Sequence, residues 1–164
     1  MEENKQQGTE PVPDIEYIVI DQSQTVGKIA LALSKAQGNM KGAVKNAKGH
    51  FNNAFADLHT VIEACKPHLS KEEIAFVQGN RFVNGIFFVV TKLIHSSGEW
   101  LSSEMALPIP KGAGPQQIGS LNSYGRRYTL ASMSGIAQYD DDANAISGKN
   151  PRSAVDKFNA NKQK

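Results

Sequence analysis

Between Pro115 and Gly135 apolar positions recur at helical spacing. With successive residues about 100° apart around an axis, Ile118, Leu121, Tyr124, Tyr128, Ala131 and Ile136 fall on one side. Ser120, Ser123, Arg127 and Ser134 fall on the opposite side, with Arg126 and Gly119 at its margin and Leu130 interrupting it. Pro115 suits the first helical position, where its missing N–H would be unpaired anyway. Gly135 suits a left-handed cap at the other end. The pattern predicts one long helix with an apolar face towards a core and an arginine pair among small residues on the other face.

Upstream, Val26, Ile29, Ala30, Leu33, Ala36 and Met40 keep helical spacing within Thr25–Lys48, with Asp21–Ser23 as candidate caps. Gly38 and Gly42 predict a break in this helix, and Gly49–Asn53 reads as a loop. A second helix is expected from Asp57, with Leu58, Val61, Ile62, Cys65 and Leu69 on its apolar stripe; Pro67 predicts an end or kink near Lys66. The pattern then turns extended: a strand at Glu73–Gln78, a turn at Gly79–Asn80, a long strand at Ile86–His95, a hairpin turn at Ser96–Glu99 and a return over Trp100–Leu107. Ile15–Ile20 is a further short β-branched run. The order predicts an α+β fold, a three-stranded antiparallel β-meander packed on a long helix (a β-β-β-α core), preceded by one or two helices. Residues 1–14 read as a disordered tail, 15–145 as one core domain and 146–164 as a basic, flexible tail.

The chain has 164 residues, room for one core domain with tails. No apolar run reaches ~18 residues, so no membrane span is expected. The polar start and the single Cys65 fit a cytoplasmic protein. The formal charge of +2 conceals blocks: residues 1–25 carry six acids and one lysine, whereas residues 26–71 carry seven lysines against two acids. The last sixteen residues are again basic. Such blocks suit a body that binds a polyanion and an acidic tail able to compete for it, beside the plainer reading of charged tails.

Lys41, Lys45 and Lys48, on the expected basic helix and loop, can neutralise phosphates. Phe51 and Phe55 follow and offer a base a stacking surface, unless they belong to the core. Arg126 and Arg127 supply planar donors suited to phosphate, unless they are a solvated pair on a core helix. Lys111-Gly-Ala-Gly114 lies before the long helix and could meet a DNA phosphate, but it lacks the spacing of a nucleotide-binding loop. Asp140, Asp141 and Asp142 could hold a hard cation, pair with a neighbouring subunit or form a solvated cap. No nucleophile and base constellation accompanies them, so no catalysis is expected. His59, Cys65 and His68 match no strong zinc spacing, and no motif for reading a duplex sequence is present.

The run Pro-Gln-x-x-Gly-Ser-x-x-x-Tyr-x-Arg-Arg-Tyr-x-Leu, followed by Gly-Ile-x-x-x-Asp-Asp-Asp-Ala-Asn, resembles the signature of the Erf (essential recombination function) family of phage proteins, which anneal complementary single strands of DNA. Lys48-Gly-His-Phe51, Phe55-Ala-Asp-Leu58, Val61-Ile-Glu-Ala64, Lys66-Pro-His-Leu69 and Val77-Gln78 resemble its first block, and Ser97-Gly-Glu-Trp-Leu-Ser-Ser-Glu104 its middle block; the likeness covers roughly residues 28–145. The chain departs from the pattern around Gly38–Gly42 and has Phe55 where a tyrosine is common. The resemblance implies a β-β-β-α core shared with a wider group that includes the ring-forming eukaryotic recombination mediator and lambda Red-beta. It implies sequence-nonspecific, ATP-independent annealing in homologous recombination within the bacterial host cell, as a homo-oligomeric ring or helical filament with a basic groove. The implied partners are single-stranded DNA, the annealed duplex intermediate, a phage exonuclease and a host single-strand-binding protein. No cofactor is required, though Mg2+ could accompany DNA. A module that binds and protects single strands without annealing them is the alternative, and an interaction protein with an incidental basic surface is a third.

Overall fold

In the stretch Ile86–His95, Phe87, Val89, Thr91 and Leu93 are buried while the residues between them are not. That period of two marks a strand with one covered face. The computed structural model describes residues 20–49 and 53–139. The elements run β1 (Ile20–Gln22), α1 (Gly27–Asn39), β2 (Ala43–Val44), β3 (Ala47–Lys48), β4 (Ala54–Phe55), α2 (Leu58–Lys71), β5 (Ile74–Val83), β6 (Ile86–His95), β7 (Trp100–Pro108), α3 (Pro115–Ser134) and β8 (Gln138–Tyr139). The fold is α+β. Strands β5, β6 and β7 form the expected antiparallel meander, and β1 adds a short edge strand to give the order β1-β7-β6-β5. The three helices cover one sheet face. Ile29 of α1, Val61, Cys65 and Leu69 of α2, Leu93 of β6 and Leu130 of α3 are fully buried together there. Burial pushes the Cys65 thiol above its usual range.

The long helix is held against the sheet by a close backbone approach and a polar clip. A Cβ on Gly125 would stand 2.5 Å from Val89 Cγ2, so only glycine lets α3 lie this near β6. One turn on, the Thr91 and Thr129 hydroxyls meet at 2.6 Å. The Gln78 side-chain amide donates to Thr91 Oγ1 and to the Arg126 carbonyl, both at 2.8 Å. These buried polar groups satisfy one another, which removes the cost of desolvating them unpaired.

Several local expectations are corrected. Helix α1 ends at Asn39, within the break expected at Gly38–Gly42, but the chain beyond it does not resume the helix: Met40 leaves with ψ 136, and residues 43–44 and 47–48 are short strands. The chain then pairs in parallel with β8, the Ala43 N–H donating to the Ala137 carbonyl at 2.8 Å and the Lys45 N–H to the Tyr139 carbonyl at 2.9 Å. Gly42 permits this, because a Cβ there would stand 2.7 Å from the Ala137 oxygen. Helix α2 runs through Pro67 to Lys71. Pro67 and Glu63 are exposed, so water can serve the carbonyl that proline leaves without a donor, while the extra turn buries Leu69. The first hairpin turns at Asn84–Gly85, not at Gly79–Asn80. Asn84 and Gly85 have φ 49 and 76, the pair of positive values a two-residue hairpin needs, whereas Gly79 pairs with Val90 inside β5. Helix α1 has no side-chain cap from Asp21–Ser23. Glu99 Oε2, from the turn between β6 and β7, accepts the Lys28 and Ile29 N–H groups at 2.7 and 2.9 Å. These bonds to the ionised form hold the Glu99 carboxyl below its ordinary range. The strand reading of Ile15–Ile20 lies outside the described residues except for Ile20, which pairs with Ser103.

Candidate nucleic-acid interface

The segment Phe55-Ala56-Asp57 joins β4 to α2, and it also meets α3. Ala56 is completely buried; its N–H donates to Gln138 Oε1 at 2.9 Å, and its carbonyl accepts Arg127 Nη1 at 3.3 Å. Asp57 caps α2, accepting the Thr60 N–H at 2.8 Å. It also exchanges two bonds of 2.9 Å with the Asn46 side chain, which ties the β2–β3 connection to the helix start. The Thr60 backbone bond, followed by Asn46, holds the Asp57 carboxyl below its usual range.

Arg127 is only 8% exposed. Its guanidinium carbon lies 4.4 Å from the centre of the Phe55 ring, 4.7 Å from Tyr128 and 5.5 Å from Tyr124. Each aromatic face attracts the cation, and such contacts are worth ~2 kcal/mol or more when desolvated. This corrects the expected faces of α3: Arg127 is buried, whereas Tyr124 and Tyr128, assigned to the core, are exposed at 41% and 40%. The aromatic residues around Arg127 include Phe55, which is more than 70 positions away in sequence, so spacing along the helix alone counts the arginine as polar. Arg126 points elsewhere. It is half-buried, its Nε donates to Gln78 Oε1 at 3.1 Å, and it lines a separate cleft of about 590 Å³ between α2 and β5 with Lys66 and Ser70. The two arginines therefore do not act on one surface.

Beside Arg127 opens a groove of about 1090 Å³. One wall is the exposed side of α3, with Gln116, Gly119, Ser120, Ser123, Tyr124 and Tyr128; the other is the β3–β4 region and the start of α2, with Gly49, Asn53, Ala54, Phe55 and His59. Gly119 has nothing within 4 Å of an added Cβ, and the Ser120 and Ser123 hydroxyls bond back to the Gln116 and Gly119 carbonyls, so this wall is low and open. Lys48 is exposed on β3 and pairs with Ala54 of the groove wall. Lys41 is exposed before β2, Lys45 follows β2, and Lys111 is exposed in the loop leading to α3. Phe55 is half-buried under Arg127, so one of its faces is already occupied. Phe51 and Asp140, Asp141 and Asp142 lie outside the described residues. Among the described residues no group of three His, Cys, Asp or Glu could hold a metal ion, and no helix is long and apolar enough to cross a membrane.

Sequence reasoning missed Gln78, Asn46, Glu99 and Gln138 as joints of this architecture. Two of them fall in stretches singled out above: Gln78 ends Val77-Gln78, and Glu99 lies in Ser97-Gly-Glu-Trp. Gln78 and the Phe55-Ala-Asp-Leu58 stretch meet the Arg-Arg-Tyr run on α3, whereas Glu99 serves the start of α1. No curated protein and no solved structure matches the chain. The family model of the ERF superfamily matches it over residues 29–164, and the chain belongs to that superfamily.

Proposed function

We propose that the protein anneals complementary single strands of DNA without ATP and without sequence preference, and that the groove beside α3 holds one strand. Superfamily membership carries the general expectation of single-strand annealing in phage recombination. The observation that carries the groove is the low, small-residue wall of α3 facing Gly49 and the β4–α2 segment, with Lys48 exposed on β3 beside Gly49. Lys41, Lys45, Lys48 and Lys111 neutralise the backbone, the complementary strand samples registers, and removing the repulsion between the two backbones speeds pairing. A groove on one copy spans a few nucleotides, so an oligomeric ring or filament extends it. The acidic run Asp140–Asp142 serves assembly or the cation dependence of annealing rather than catalysis, and Arg126 contributes from its own cleft.

The test mixes two labelled complementary oligonucleotides with the protein in the absence of nucleotide. Faster duplex formation for unrelated sequences is expected, with affinity falling with salt at a slope near −0.7 per phosphate neutralised. Binding without acceleration would leave a protecting module, and salt-independent or sequence-selective binding would contradict the reading.

A further inference from the structure

Aromatic side chains four apart on a helix normally turn to the core, where their area is worth most. Tyr124 and Tyr128 instead line the groove, each about two-fifths exposed, with ring centres 4.4 Å apart and planes tilted by 38°. Arg127 lies against both rings and against Phe55 while its Nη1 donates to the Ala56 carbonyl. That guanidinium is only 8% exposed, with its faces against three rings and one edge on the Ala56 carbonyl, so little of it is left to meet a phosphate. We infer that Tyr124 and Tyr128 form a stacking step for unpaired nucleobases in the groove, and that Arg127 is a positioning residue that holds the step rather than a phosphate contact.

This rests on the reading that the groove holds a single strand. Stacking uses the face of a base and leaves its pairing edge open to an incoming complementary strand. It is tolerant of sequence, since every base has a π-face. It also discriminates strand from duplex, where base faces are already covered. The Tyr128 hydroxyl and partial burial push the Tyr124 phenol above its ordinary range, so this ring stays neutral at physiological pH.

The experiment compares, by fluorescence anisotropy, an ordinary oligonucleotide with an abasic strand of the same length and phosphate count. The parent protein is expected to bind the abasic strand about 5- to 150-fold more weakly, the equivalent of one stacked base. Tyr124→Ala with Tyr128→Ala removes that difference and keeps the affinity for the abasic strand, whereas Tyr124→Phe with Tyr128→Phe preserves it. Circular dichroism and denaturation confirm that each variant is folded. Equal binding of both strands by the parent, or an intact difference in the folded alanine variant, overturns the stacking step while the groove reading stands. A parent that binds neither strand overturns the groove reading and the step with it. Arg127→Met removes both the charge and the planar group while leaving an apolar stem among the rings; loss of base discrimination with an unchanged salt slope is expected. A slope with one phosphate contact fewer, and discrimination retained, shows instead that Arg127 grips phosphate.

Discussion

The two faces of α3 use similar residues to opposite ends. Towards the sheet, Gly125 lets the helix touch Val89, Thr129 and Gln78 close a satisfied polar clip, and Leu130 fills the core. Towards the groove, Gly119 meets nothing, two serines fold back on their own helix, and two tyrosines stand exposed over a buried arginine. A glycine, a hydroxyl or an aromatic ring in the sequence thus says little about its role until its neighbour across the interface is known. The sheet face is built to be filled, and the groove face is built to leave room.

The largest difference between the faces should appear on truncation. Leu130→Ala empties a fully buried site and should cost about 2–5 kcal/mol. Ser123→Ala, on the groove wall, should change stability by less than ~0.5 kcal/mol. Urea denaturation measures both. The two glycines sharpen the comparison further. Gly125→Val drives a side chain into Val89 and Leu107 and should destabilise by about 1–3 kcal/mol, because the strand beneath cannot retreat. Gly119→Ala meets open space and should stabilise the helix by up to ~1 kcal/mol. A similar response from both glycines would dissolve the distinction.

Smaller effects are expected at the helix caps. Asp57→Ala should cost about 1 kcal/mol, losing the Thr60 cap and the bond from Asn46 Nδ2 while its backbone N–H still donates to Asn46 Oδ1. Glu99 and Asp57 both have carboxyls held below their ordinary range. Their contributions are therefore complete above the unfolded carboxylate values and are lost as pH falls through the lower folded ones. Denaturation midpoints measured from neutral to acid pH should decline over that window, and Glu99→Gln should show a shallower decline.

The long helix was legible because its ends carry their own chemistry: Pro115 opens α3 and Gly135 closes it with φ 69. The meander was legible from its periodicity and from the turn at Ser96–Glu99. The first hairpin turn was less so, since Gly79-Asn80 and Asn84-Gly85 are both turn-like pairs and only the register on β6 separates them. Residues 41–48 read as helix because their partner, β8, lies more than 90 positions away. Of the candidate site, the sequence singled out the lysines and the Arg-Arg-Tyr run as candidates, but not the arginines' separate destinations. Arg127 is buried by rings contributed partly from another element, and Arg126 is held by Gln78 of β5 across the helix–sheet interface. Periodicity on one helix carries no information about either.

The central claim is that the open face of α3 is where a single strand lies. Ser120→Glu with Ser123→Glu places two carboxylates on that wall at exposed positions, and Leu31→Glu places one at an exposed position on α1, away from the groove. The decisive measurement is the annealing rate of complementary oligonucleotides, with strand affinity taken on the same folded samples. The groove variant should lose strand binding and annealing while the α1 variant keeps both. Parental annealing by the groove variant, or its loss in the α1 variant alone, would contradict the account.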